Sequence, residues 1–398
     1  MAMMGRFAFV VLLTVAALPL LLDISGGEPT SESFRLAKTA QPHMVGGATW
    51  MARNLTAKLR KQPPESATVE GVFTYIDLID RYHQNCQAGW DSPSTSDSSD
   101  CQILRAELDA RGPAVERLVQ QQVAGALESL GSAFNLGLLK TIIPPVMFTF
   151  QAPPTLLVVS PRSEIKITGR VLLDPELTLR DAERLEKLVS SREVSAMVTR
   201  IGGLGIYPSI LPENPDLPWI LQTVAHEWCH QFFAFKPLGW RYAFGMETDQ
   251  RMIAINETAA ELIGKEVGNR VYRQSYGGSL EELSRYTPRQ LYLREQLREL
   301  RRQVDLLLDE GQIAQAEALM EARRQELNAQ GYDLRVLNQA YFAFYGSYAD
   351  DPYLSGTEIE EISRRIRRLR EKSTSAGSFL AIIASAGSYE EFIRITNE

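Results

Sequence analysis

A His-Glu-x-x-His sequence in the middle of the chain is the feature most suited to chemistry. His226 and His230 stand four residues apart, so on a helix both imidazoles lie on one face and reach one metal ion. Glu227 is placed to act as general base on a water molecule at that metal. The chain has only four histidines, and the other two, His43 and His83, lie far upstream. The pattern predicts a zinc site that needs a further protein ligand.

The third ligand is predicted in a second acidic motif. A catalytic zinc usually takes three protein ligands and a water molecule. The chain has Phe233 and Lys236 where an extended His-Glu-x-x-His motif would need glycine and histidine, which excludes that class of zinc site. Glu257 is a better candidate for the third ligand than the distant His43 or His83. Glu261 lies one helical turn further on, where it can accept a hydrogen bond from a ligating histidine. An ordinary solvated acidic face is the alternative reading of this pair.

Together, the two motifs resemble those of the gluzincin metallopeptidases, the thermolysin-like group of zinc peptidases. The resemblance covers His226 to His230 and the run Asn256-Glu-Thr-Ala-Ala-Glu261. It implies His226, His230 and Glu257 as zinc ligands, Glu227 as catalytic base and Glu261 as a partner of a ligand. It also implies that an extended strand upstream of the zinc helix pairs with the substrate backbone, and Leu204 to Ser209 is the candidate.

A second resemblance extends over residues 140 to 398. The flanking sequence is similar to a group of uncharacterised, membrane-anchored bacterial proteins, and that likeness implies no known activity. Three stretches carry it: Ser160-Pro161-Arg162, Gly202 to Pro208, and Leu337 to Tyr345.

An aminopeptidase is a less favoured alternative within the gluzincins. Gluzincin aminopeptidases carry a Gly-x-Met-Glu-Asn motif upstream of the zinc helix, which holds the free amine of the substrate. Here Gly245-Met246-Glu247 lies downstream instead, and the upstream stretch Gly202 to Ser209 has no acid, although Glu213 follows.

Peptide hydrolysis passes through a tetrahedral intermediate whose oxyanion needs a hydrogen-bond donor, and we predict that donor among three tyrosines. Tyr341, Tyr345 and Tyr348 fall at i, i+4 and i+7 and could present one helix face, with Tyr345 as the candidate donor. The alternative is an aromatic stripe packed in the core. Cys229 and Trp228 are predicted to be buried rather than catalytic.

The helical and strand-like patterns around these residues predict an α+β fold that is mainly α. Asp216 and Pro218 indicate the start of the zinc helix, and 251–266 forms a second helical stretch. We expect a zincin-like core with a small β-sheet, and added helices that include a hairpin over 289–330. The predicted helices and strands outside the motifs are 46–131 (helix), 146–150, 156–160 and 165–173 (strands), and 177–198 (helix).

Four regions follow from this reading. Residues 1–26 form a signal peptide or signal anchor, because 7–22 carry no charge after Arg6. Residues 27–140 form a helical region with a flexible loop at 91–100, 141–288 the catalytic core, and 289–398 a C-terminal helical region. A positive start places the remainder outside the cytoplasm, either secreted or anchored in the membrane. There Cys86 and Cys101 could form a disulfide, with two free thiols as the alternative.

Composition limits the partners. The chain has 398 residues, 42 Lys and Arg against 49 Asp and Glu, and a net charge of −7. That balance gives no support for nucleic-acid binding, which needs concentrated basic residues. The expected partner is a peptide or protein substrate, with Zn²⁺ as cofactor. A non-catalytic envelope protein that binds partners through the hairpin, and a zinc hydrolase of other substrates, stay open, as does the oligomeric state.

Overall fold

A computed structural model of the protein describes most of the chain. The described residues are 40–44, 66–86, 98–131, 134–136, 139–190, 193–243, 249–278, 287–346 and 357–397. Several predictions lie wholly or partly outside them, among them the segment 1–26, the helix over 46–131, the loop at 91–100, Gly245 to Glu247, and Tyr348. No helix in the described ranges is long and apolar enough to cross a bilayer.

The fold is mainly α with a small β component, which confirms the predicted class. The helices are α1 Val69–Asn85, α2 Ser99–Ser129, α3 Leu179–Val189, α4 Leu217–Phe233, α5 Trp240–Ala243, α6 Gln250–Tyr276, α7 Pro288–Asp309, α8 Ile313–Ala329, α9 Gln339–Tyr345, α10 Thr357–Lys372, α11 Ala376–Ile383 and α12 Tyr389–Asn397. The strands are β1 Phe134–Leu136, β2 Leu139–Thr141, β3 Phe148–Phe150, β4 Thr155–Pro161, β5 Gly169–Leu173, β6 Val194–Arg200 and β7 Ser209–Leu211.

A three-stranded antiparallel sheet, in the order β5-β4-β6, is buried on both faces. Leu157, Val171 and Val198 face α3, where they pack with Leu185. On the opposite face, a second cluster joins the sheet to α9. Since side chains alternate between faces along a strand, the two clusters explain why β4 is apolar at nearly every position.

The predicted helix over 177–198 is wrong in its second half. Helix α3 ends at Val189, and the following segment Val194–Arg200 is strand β6, which pairs antiparallel with β4 along its whole length. A short apolar run fits a helix and a buried strand equally well by periodicity. The pairing with β4, which is remote in sequence, decides the outcome.

Helices α4 and α6 pack side by side at unusually close range. A Cβ added at Gly264 would lie 2.8 Å from the carbonyl oxygen of Gln222 and 3.0 Å from the Cβ of His226. One added at Gly268 would lie 2.6 Å from the amide nitrogen of Gln222. The two glycines therefore let the α6 backbone approach α4 more closely than any larger residue would allow.

One hydrophobic cluster joins residues from 72 to 392 around this helix pair. It includes side chains of α1, α2, α4, α6 and the three last helices, so buried packing crosses the predicted boundaries at 140 and 288. Those boundaries stay predictions. The hairpin expected at 289–330 is present as α7 and α8, and Gly311 turns the chain between them with a φ of 73°.

Cys86 and Cys101 form a disulfide that joins the end of α1 to the start of α2. We expect the double variant Cys86→Ser/Cys101→Ser to lose about 3 kcal/mol of unfolding free energy, because the bond closes a 15-residue separation and restricts the unfolded chain. Urea unfolding of the oxidised wild type and of the variant measures the loss. A reductant should destabilise the wild type and leave the variant unchanged; equal stability of all samples would contradict the expectation.

Candidate metal centre

Helix α4, which carries the His-Glu-x-x-His motif, begins where its sequence predicts. The Asp216 carboxylate accepts a hydrogen bond from the amide of Trp219 at 3.1 Å, which caps the first turn. Pro218 lies in that first turn, where its missing N–H costs no helical hydrogen bond. Four residues apart on this helix, His226 and His230 direct their rings to one point. Their Nε2 atoms lie 3.0 Å apart, with the rings nearly perpendicular.

The third donor comes from α6. The Oε2 atom of Glu257 lies 3.6 Å from the Nε2 atoms of both His226 and His230. Two ligands about 2.1 Å from a tetrahedral zinc lie about 3.4 Å from each other. The three donors thus have the spacing that a tetrahedral metal requires. Among the described residues, this is the one group of three potential ligands that meets such a criterion.

Each histidine has a side-chain oxygen beside its second ring nitrogen. Asn256 Oδ1 is hydrogen-bonded to His230 Nδ1 at 2.8 Å, whereas Glu261 Oε2 lies 3.3 Å from His226 Nδ1 without hydrogen-bond geometry. With the ring proton on Nδ1 in each case, the Nε2 lone pair of each ring is directed at the other ring and at the Glu257 carboxylate. Facing lone pairs repel, so the arrangement suits a cation between them. Sequence reasoning missed Asn256, although it is the first residue of the second motif.

Tyr242 orients the third ligand and was also missed. Its hydroxyl donates a hydrogen bond of 2.5 Å to Glu257 Oε1, and its ring stacks on His230 with centroids 5.4 Å apart. The other oxygen, Oε2, is buried and has no hydrogen-bond partner among the described residues. An unsatisfied buried carboxylate oxygen that faces two imidazole nitrogens fits a bound metal. The spacing of the two motifs does not identify a particular tyrosine between them.

The pKa values of the centre reflect mutual attraction between carboxylates and imidazoles. Burial works to raise the pKa of Glu257, but His230 and His226 outweigh it and hold that pKa well below its usual range. Burial works to lower the pKa of His226, but the carboxylates of Glu257 and Glu261 raise it well above its usual range. Protons and a divalent cation therefore compete for these donors, so metal affinity rises with pH.

Glu227 lies against a glycine-rich stretch. A Cβ at Gly203 would overlap Oε1 of Glu227, and one at Gly205 would lie 3.1 Å from Oε2 and 2.9 Å from the Cβ of His230. Only glycine leaves room for the carboxylate at this point. Burial raises the pKa of Glu227, opposed by the charges of His226 and His230. A raised pKa suits a group that must both accept and return a proton near neutral pH.

The structure corrects the expected strand at Leu204 to Ser209. Leu204 bonds through both its amide and its carbonyl to Ile210, at 2.9 and 3.1 Å, so the segment folds back on itself. Ile210 belongs to β7, which pairs in parallel with β3. Only the short stretch from Gly203 to Gly205 runs extended beside Glu227. Within the described residues, no hydrogen-bond partner is recorded for the backbone groups of Gly203 and Gly205.

The structure does not bring Tyr345 to the metal centre. Its hydroxyl lies 3.1 Å from Thr199 Oγ1, and its ring contacts those of Tyr341 and Phe344 on the face of the sheet. Among the described residues it makes no contact with the three donors. The aromatic stripe of α9 is therefore core packing, the alternative reading of these tyrosines, because α9 lies on the sheet rather than on α4.

The remaining candidates from the motifs have structural roles. Cys229 is buried, and burial raises the pKa of its thiol. The indole of Trp228 is buried and donates a hydrogen bond of 2.7 Å to the carbonyl oxygen of Pro144. Glu213 accepts two hydrogen bonds of 2.7 Å from Arg105 and one of 3.1 Å from Tyr75. A carboxylate engaged in this way is poorly placed to bind a substrate amine.

Comparisons of the chain with models of known protein families, with curated proteins and with solved structures found no match. The resemblance to the gluzincins stays a prediction. The chain's own motifs and the positions of their side chains are what support it.

We expect Tyr242→Phe to weaken zinc binding by about 10- to 100-fold, the usual cost of removing a group that orients a metal ligand. Loss of the hydroxyl frees Glu257 Oε1 and lets the carboxylate rotate. Competition for zinc with a chromophoric chelator measures the change. Tyr276→Phe is the matched control. Tyr276 is the last residue of α6, and its hydroxyl donates a hydrogen bond to Gln122. Equal affinity of both variants would show that Tyr242 does not orient the ligand.

Proposed function

We propose that the protein is a zinc-dependent peptidase of gluzincin type that acts outside the cytoplasm. The observation that carries the proposal is the convergence of His226 Nε2, His230 Nε2 and Glu257 Oε2 on one helix pair that also carries the buried carboxylate of Glu227. A metal site of purely structural kind would have no need of Glu227 at that point. The disulfide between Cys86 and Cys101 supports an oxidising compartment.

Zinc held by such donors polarises a carbonyl group and lowers the pKa of a water molecule. Glu227 then supplies the proton transfers. Its carboxylate takes a proton from the attacking water and gives it to the amine that leaves, so that one group serves as base and then as acid. The donors are kept oriented throughout these transfers by their neighbours Asn256, Glu261 and Tyr242.

The extended stretch from Gly203 to Gly205 is the proposed support for the substrate backbone. Leu204 uses both of its backbone groups to pair with Ile210, so those of its two neighbours are directed to the opposite side. Their position beside Glu227 places a pairing edge next to the catalytic base. A peptide that adds to this edge would present its backbone to the centre in one register.

An endopeptidase or carboxypeptidase fits the site better than an aminopeptidase. Glu213, the acid that follows the glycine-rich stretch, is engaged by Arg105 and Tyr75. No described carboxylate other than those of the centre itself is recorded in contact with the donors. Binding of a free substrate amine would require one.

We expect Glu227→Gln to lower kcat/KM by about 10²- to 10⁴-fold while zinc content stays unchanged, because the amide cannot accept the proton. The full chain, loaded with zinc, is incubated with a mixture of synthetic peptides, and new termini are identified by mass spectrometry. Glu107→Gln, an exposed position on α2, is the matched control.

Two results would count against the proposal. Cleavage by Glu227→Gln at the rate of the wild type would remove the assigned base. A wild-type protein with one zinc per chain that cleaves no peptide would favour the non-catalytic binding protein instead.

A further inference from the structure

Arg170 stands beside the metal centre on the edge strand of the sheet. In register, it lies opposite Val158 on β4, so both side chains share the face that packs against α9 rather than α3. From there the guanidinium reaches over the ring of Tyr242, with Cζ 5.6 Å from the ring centroid. Tyr242 in turn stacks on His230. The cation is thus separated from a predicted metal ligand by a single aromatic ring.

Several arginines in partly buried positions are paired with a glutamate. Both oxygens of one carboxylate accept hydrogen bonds from one guanidinium in four such pairs. These pairs are Arg105–Glu213, Arg162–Glu317, Arg335–Glu186 and Arg370–Glu266. Pairing of this kind is what offsets the cost of taking a guanidinium partly out of water.

Arg170 differs from these four arginines. Within the described part of the chain, the ring of Tyr242 is the only partner recorded for its guanidinium. Its strand neighbours on the same face, Leu172 and Val158, are apolar. A cation over an aromatic face uses the face of the guanidinium and leaves its in-plane N–H donors available. Those donors match the two oxygens of a carboxylate.

We propose that Arg170 binds a carboxylate of the substrate, so that the enzyme selects peptides with a negative charge near the scissile bond. This inference rests on the proposed peptidase function and names its substrate class. The guanidinium lies 5.6 Å from the Tyr242 ring, and the Tyr242 ring lies 5.4 Å from the His230 ring. The guanidinium is therefore at most about 11 Å from the His230 ring, a distance that three to four residues of extended peptide span at ~3.4 Å each. The charge is therefore a C-terminal carboxylate or an acidic side chain a few residues from the cleaved bond.

Binding rather than turnover tests the proposal. The zinc-loaded full chain with Glu227→Gln, which holds peptide without cleaving it, is titrated by calorimetry with two peptide pairs. One pair differs only in a C-terminal carboxylate or amide, and the other only in an internal Asp or Asn. We expect the acidic member of one pair to bind about 10- to 100-fold more tightly, the usual range for a hydrogen-bonded charge.

Substitution of Arg170 assigns the preference. Arg170→Gln should abolish the difference between acid and amide and leave the affinity for the amide unchanged. Arg170→Lys should keep the preference in weakened form, since it retains the charge but not the two-pronged geometry. The matched control is Arg180→Gln, which removes an exposed charge from α3 on the other face of the sheet. It should leave the preference intact.

The outcomes separate the two claims. A preference in the first peptide pair identifies the C-terminal carboxylate, and one in the second identifies an acidic side chain. Equal affinity for acid and amide in the parent protein overturns the inference, as does an equal loss for both in Arg170→Gln. Neither result contradicts the proposed peptidase function if the wild type still cleaves neutral peptides. A wild type that cleaves no peptide would instead be a failure of the proposed function.

Discussion

The close approach of α4 and α6 is the constraint on which the candidate metal centre depends. Gly264 and Gly268 remove the side chains that would otherwise separate α6 from Gln222 and His226. The imidazoles on one helix and the carboxylate on the other consequently meet at tetrahedral spacing. A methyl group at 264 would press on the backbone that carries His226, and the three donors would no longer share a point.

Each donor at the centre has one atom that faces the shared point. Asn256 is hydrogen-bonded to His230 and Tyr242 to Glu257, while the Glu261 carboxylate lies 3.3 Å from His226 Nδ1. To enclose the buried carboxylates of Glu227 and Glu257 with two imidazoles costs free energy in any protein. A divalent cation between them would offset that cost, and such a cost is typical of arrangements that serve function rather than stability.

Local periodicity predicted the features that depend on a single helix. It missed the strand and the side chains whose positions depend on tertiary packing. The spacing of His226 and His230, the cap at Asp216 and the hairpin at Gly311 follow from neighbours within a few residues. Strand β6 was misread because its apolar run fits a helix until β4 pairs with it. Tyr242 and Arg170 reach the centre from a short helix and from a sheet edge, so no spacing in the sequence links them to it. The role predicted for Tyr345 as oxyanion donor was wrong for the converse reason. Its helical spacing was read correctly, but the helix that carries it packs on the sheet and not beside the metal centre.

A crystal structure of the zinc-loaded full chain, with anomalous differences recorded at the zinc edge, tests the central claim most directly. One anomalous peak is expected, about 2.0–2.2 Å from His226 Nε2, His230 Nε2 and Glu257 Oε2. Tyr242 should remain on the other oxygen of Glu257. A peak on other side chains, or its absence from this group in a well-ordered crystal, would contradict the account.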